Sequence, residues 1–246
     1  MRNMQLSLVF VKGTAPGKWV ARFEERHGAA IESYESVDAA AKLLSAQADV
    51  ALVRLPDARI EGNEALHLVR LYEEQPGVGV NEDSELSLLN ELSQKDINQE
   101  KIMYKPARAD EAAAGGGCVD VRAVLDAVQV VAAGVGIVLA PRPLLRAINN
   151  KHIEHRDFID GVATTIALAW PKEKDSQVIQ DFVGITRGRT ANTSRAQTPR
   201  KTAREKAAAK KRRREESAPQ TRRAAAPRGR GARGGAGAKK RPRRRP

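Results

Sequence analysis

The sequence predicts an α/β fold built as two small lobes, and three observations carry that expectation. Short apolar runs of strand length alternate with stretches of helical periodicity through residues 1–186. The alternation restarts after Asn81. A last strand and helix then return the chain towards its beginning. A β-α-β-α-β order suits a parallel sheet covered by helices, because parallel strands need a crossover between them.

Residues 6–11 read as the first strand, and Thr14, Ala15, Pro16 and Gly17 as a turn. Residues 19–27 read as a helix with Trp19, Val20 and Phe23 on one face. A second strand (30–34), a second helix (37–47) and a third strand (48–53, ADVALV) follow. Residues 71–80 form a long strand that Pro76 and Gly77 interrupt, which marks an edge or a hinge. Beyond Asn81, residues 86–92 read as helix, 101–104 as a short strand and 107–117 as a polar Ala/Gly loop. Val124, Leu125, Val128, Val131 and Ala132 recur at helical spacing, and Gly134 stands where a left-handed cap would end that helix. Residues 137–140 make a buried strand, and Pro141 opens the next helix. The series closes with a strand at 164–170 (TTIALAW) and a helix at 176–187. The expected division is residues 1–80 plus 162–186 as first lobe, 81–161 as second lobe and 187–246 as a tail.

Charge separates that tail from the body. The 246 residues carry a net +13, but residues 187–246 hold 23 Lys+Arg against 3 Asp+Glu, a net of +20. Residues 1–186 hold 20 basic and 27 acidic residues, a net of −7. The last aromatic residue is Phe182, so the tail has little to bury and is expected to be disordered alone. Its runs, Arg200 and Lys201, then Lys210, Lys211, Arg212, Arg213 and Arg214, then Arg243, Arg244 and Arg245, suit phosphate backbones. Without aromatics or a folded reading element they offer neither base stacking nor base readout, so non-specific DNA or RNA binding is expected. A merely solvated tail is the alternative.

Several chemistries are excluded or poorly supported. Gly134-Val-Gly136 lacks the third glycine of a dinucleotide fingerprint, because Leu139 holds its place, and it follows a helix rather than a strand. Cys118 is the single cysteine, which rules out an intrachain disulfide and CxxC motifs. His152 and His155 have no cysteine partner and sit in a segment that reads as loop. There is no G-x-S-x-G motif and no Walker loop. Neither an enzyme nor a cofactor is expected. The N-terminus reads as a strand rather than a signal peptide, and no run approaches a membrane span, so a cytoplasmic protein without membrane association is expected.

Three segments carry a resemblance to a known family, and a fourth, at the end, fits it. ADVALVR (Ala48 to Arg54), LYEEQPGVGVNEDSELS (Leu71 to Ser87), VVAAGVGIVLAP (Val130 to Pro141) and IALAWPKEKDSQVIQDFV (Ile166 to Val183) resemble stretches of the effector-binding, or substrate-binding, domain of LysR-type transcriptional regulators. The third is the most specific. The resemblance spans about three quarters of the chain. It implies a two-lobed fold of the type 2 periplasmic-binding-protein kind, joined by crossing strands, with a small ligand in the cleft and a dimeric assembly. Two departures from the family are expected: Met1 stands almost at the first strand, so no winged helix-turn-helix is expected ahead of it, and the basic tail reads as an addition.

In open α/β sheets, ligands sit beyond the carboxyl ends of strands. That edge points to Thr14, Ala15 and Pro16 at a helix start, where free N–H groups favour an anion, or else simply to a capped turn. Arg54, just past the third strand, either grips a carboxylate with two nitrogens or is a solvated surface arginine. Tyr104 and Lys105 would meet the ligand from the second lobe, though Tyr104 also suits packing. Gly134 and Val135 would shape the far wall with backbone. The expected function is an effector sensor for a small anionic metabolite, a homodimer tethered to nucleic acid by its tail. The alternative is a nucleoid- or RNA-associated protein whose body is only a dimerisation scaffold.

Overall fold

β1 (Leu6–Val11), β2 (Ile31–Ser36) and β3 (Val50–Leu55) lie parallel, with β1 in the middle of the three. The computed structural model describes residues 6–28, 30–107 and 117–188. The tail beyond Gly188 and every basic residue assigned to nucleic acid lie outside them, as does most of the 107–117 loop. β3 is buried along its whole length, which its near-continuous VALVRL run anticipates for a strand covered on both faces. β4 (Leu66–Glu74) and β10 (Thr164–Pro171) complete a mixed sheet of order β2-β1-β3-β10-β4, with β10 antiparallel to both neighbours. α1 (Gly17–His27) ends at Gly28 in the left-handed region, and its Phe23 meets Phe182 of α5 (Gln177–Thr186) edge-on at 5.8 Å. α2 (Ala39–Leu44) starts on Asp38, whose side chain accepts from the Ala41 amide.

A second sheet has the order β6-β9-β5-β8-β7. Its strands are β5 (Pro76–Asn81), β6 (Glu91–Leu92), β7 (Ile102–Tyr104), β8 (Ile137–Pro141) and β9 (Ile153–Phe158). α3 (Val121–Ala132) packs on β5, β7 and β8, and α4 (Arg142–Ile148) on β5, β8 and β9. The chain crosses between the sheets twice, at Gln75 and through residues 159–163.

Three elements differ from the sequence reading. The long strand at 71–80 is two strands in different sheets. Pro76 offers no N–H at the break, and the Gln75 carbonyl accepts from the Arg142 amide at 2.8 Å. The helix at 86–92 is a 3-10 turn (Glu85–Leu88) followed by β6; Leu86 and Leu92 reach the core while Leu88 is 84 % exposed, so its apolar residues form no continuous helical face. The segment of His152 and His155 contains β9, whose polar IEHRDF sequence hides the strand because most of its side chains stay only partly covered. Strand register supplies the rest: Gly77 to Asn81 pairs with residues 153–157.

Candidate functional site

A cavity of about 330 Å³ opens at the carboxyl ends of β1 and β3. Val11, Val53 and Arg54 form its floor, the start of α2 with Asp38 one wall, and Asp120, Val121 and Arg122 at the start of α3 the opposite wall. Because α3 packs on the second sheet, the cavity separates the two halves of the body. This is the strand-edge position at which open α/β sheets hold ligands.

Arg54 is the centre of the site. Its side chain is 4 % exposed. Nε donates to Glu74 Oε2 at 2.6 Å, and Nη2 donates to Glu74 Oε1 and to the Lys12 carbonyl, both at 3.1 Å. Thr164 donates its hydroxyl to the same carboxylate at 3.0 Å. One guanidinium therefore ties β3 to β4 and, through Thr164, to β10. The two-nitrogen grip expected for a ligand is already taken by an internal carboxylate, and the arginine is not a solvated surface residue. Nη1 remains: it is buried and has no hydrogen-bond partner among the described residues. A buried, unpaired charged donor is costly unless something accepts from it.

Around Arg54 the charges are paired closely. Arg59 donates to Asp57 Oδ2 and to Asp38 Oδ2, each at 2.7 Å, and these hydrogen bonds hold its pKa above the ordinary arginine value against the opposing effect of burial. Burial works against the Asp38 charge, but Arg59 and the Ala41 amide outweigh it and hold the carboxyl below its usual range. Asp120 caps α3, its Oδ1 accepting from the Arg122 and Ala123 amides at 2.9 and 3.1 Å. The Asp120 amide in turn donates to the Tyr104 hydroxyl at 2.8 Å, and burial pushes that phenol up to about 12.

The other expected residues are placed as follows. The Thr14 hydroxyl donates to the Val11 carbonyl at 2.8 Å, closing a turn, while Ala15 is exposed and Pro16 is the buried residue before α1. Beside them Gly13 has φ +94°, and a Cβ there would stand 2.8 Å from the Leu144 Cα of α4, so glycine permits the two halves to touch. Lys105 belongs to a second, largely apolar cavity of about 600 Å³, shared with Pro56, Gly77, Cys118, Leu139 and Thr164. Burial pushes the Cys118 thiol up to about 11. Gly134 and Val135 lie at the far end of α3, about 18 Å along its axis from the first cavity. They line neither cavity. His152 pairs with Glu82 at 2.5 Å, and His155 lies 3.5 Å from Arg146 Nε. Asp38, Asp57, Arg59, Glu74 and Asp120 were missed. Two had a signal, since Asp38 and Asp120 each stand immediately before a helix as caps do.

The family profile of the LysR substrate binding domain matches residues 17–191. The chain belongs to this family. Its body is a LysR-type effector-binding domain, and the LysR family is one of transcriptional regulators. The structure is similar to the BenM effector-binding domain with its effector benzoate, at 19 % identity, TM-score 0.56, 74 % of this chain and 90 % of that one. It is also similar to HinK, a LysR family regulator from Pseudomonas aeruginosa, at 18 % identity, TM-score 0.54 and 74 % and 70 % coverage. Full-length CbnR, solved with its target DNA, gives 17 % identity, TM-score 0.56 and 74 % and 67 % coverage. These likenesses show the two-lobed α/β fold of the type 2 periplasmic-binding-protein kind. No curated protein matches the chain. Among the described residues, no helix is long and apolar enough to cross a membrane.

Proposed function

We propose that the LysR-type body senses a small molecule bearing a carboxylate or an equivalent acceptor, held in the 330 Å³ cavity by Arg54 Nη1. One observation carries this reading: a buried guanidinium nitrogen without a partner among the described residues, at a strand-edge cavity between two lobes. Tyr104 and Thr14 support the walls through Asp120 and the β1 turn. Binding would draw the halves together, because the ligand touches both and Arg54 also holds Glu74 and Thr164, which flank the two crossings of the chain. The BenM domain is described with benzoate, which is itself a carboxylate. The basic tail is proposed to hold nucleic acid without sequence preference, in a cytoplasmic homodimer. A body serving only as a dimerisation scaffold would have a cleft filled by its own side chains, and the two open cavities favour the sensor instead.

The test is thermal unfolding of the full chain against a panel of small carboxylates and their amides. A ligand at 100 times its Kd stabilises the folded state by about 2.7 kcal/mol, enough to move the midpoint visibly. One or more carboxylates should do so in the wild type and lose the effect in Arg54→Lys, which keeps the charge but not the planar fork. No stabilisation by any member of the panel would sink the reading.

A further inference from the structure

We infer that the apolar cavity beside the two crossings of the chain is a second binding site, for an uncharged ring or branched aliphatic group. It is separate from the cavity floored by Arg54. Its volume, about 600 Å³, is that of a small-molecule site. Both halves build it: Pro56 follows β3, Thr164 opens β10, and Leu139 and Phe158 come from β8 and β9. Pro76 at the first crossing and Val162 in the second complete the wall.

The lining sets the chemistry of the ligand. Among the described lining residues, the buried ones carry two side-chain polar groups, the Thr164 hydroxyl and the Cys118 thiol. The hydroxyl donates to Glu74 Oε2 at 3.0 Å, and the thiol, pushed up to about 11 by burial, stays neutral at neutral pH. Lys105 and Asp160 are exposed and stand at the rim. A charged group carried past them leaves water for an apolar interior, which is costly. Val162 at the opening is an apolar side chain left 85 % exposed. An apolar ligand covers it and takes the lining out of water.

Thr164 joins this cavity to the first. The carboxylate that accepts its hydroxyl also accepts from Arg54 Nε at 2.6 Å. Thr164 is the first residue after the second crossing, and Glu74 the last residue of β4 before the first. All three side chains are buried, where hydrogen bonds in a chain polarise one another. Filling the second cavity therefore fixes both crossings and is felt at the guanidinium of the first.

The experiment titrates cyclohexanol, indole and cyclohexylammonium into the full chain and follows binding by NMR. The two uncharged probes should bind, and cyclohexylammonium about tenfold or more weakly than cyclohexanol, because its charge finds no buried partner. Val162→Trp and Ala163→Trp put a ring at exposed lining positions, so they should abolish this binding while the melting temperature holds. Cyclohexanol should also move the Arg54 Nε–H resonance, identified by its loss in Arg54→Lys. Thr164→Val keeps the shape without the hydroxyl, and should keep the binding but lose that movement. No binding of either uncharged probe, binding that survives both tryptophan variants, or equal binding of cyclohexylammonium overturns the site. An Arg54 signal unmoved by bound cyclohexanol, or moved equally in Thr164→Val, overturns the link through Thr164. No carboxylate takes part in these measurements, so this site and the carboxylate sensor fail separately.

Discussion

Arg54 and Glu74, with side chains 4 % and 0 % exposed, form an ion pair that water does not screen. Such a pair gives little net stability over an apolar pair of the same shape, but losing one partner leaves a charge stranded. Glu74→Gln should therefore destabilise the body by about 3–5 kcal/mol in urea unfolding. The double variant Arg54→Met/Glu74→Leu should recover most of that loss; equal damage from both would refute the stranded-charge account. Asp38 sets a second expectation. Its carboxyl, opposed by burial but held down by Arg59 and the Ala41 amide, titrates lower in the fold than its ordinary value of 3.8. A depressed acid stabilises fully above that ordinary value and loses the contribution as pH falls through the folded one. Unfolding free energy measured from pH 6 down to pH 3 should fall less steeply in Asp38→Asn than in the wild type. An unchanged slope would show that Arg59 does not hold this carboxyl.

At the scale of elements, the glycines after α3 do different work. Gly134 has φ +85°, and a Cβ there would meet nothing within 4 Å. Gly136 has φ +66°, and a Cβ there would fall 2.0 Å from the Lys101 carbonyl oxygen, whose neighbour Ile102 starts β7. Gly134→Ala should cost only the left-handed strain, about 1–2 kcal/mol. Gly136→Ala adds a backbone collision and should cost more and loosen β7 from β8, seen as faster hydrogen exchange in residues 102–104. Equal costs would refute the distinction. The sequence made the turn legible through the change of period at Gly134, but not which glycine is pressed against a neighbour, because that neighbour is 35 residues away. The same limit explains the rest. β3 and α3 were readable from runs that are buried where their pattern says. β9 was not, since it is defined by pairing with β5 rather than by apolar residues. The place of Arg54 at the end of β3 was readable by position and resemblance, but its pairing with Glu74 was not, because sheet register and the crossing of the chain bring the two together.

The whole molecule divides its charge so sharply that its two parts should respond oppositely to salt. Residues 1–186 carry −7 and residues 187–246 carry +20. An acidic body repels a phosphate backbone, so on the proposed reading any attraction to nucleic acid comes from the tail, and each phosphate it neutralised would release condensed counterions. Binding of a fluorescent duplex to the full chain should be blind to sequence. On a log–log plot against salt, it should fall with a slope of roughly −0.9 per phosphate contacted. A truncation ending at Thr186 should bind no duplex, yet keep the ligand-dependent stabilisation of the full chain, because Arg54, Glu74 and Asp120 all remain. If the truncated body instead prefers one duplex sequence, DNA reading belongs to an acidic surface and the division of labour fails. If truncation removes the ligand response while the body stays folded, sensing and nucleic-acid binding are coupled through the tail rather than separate.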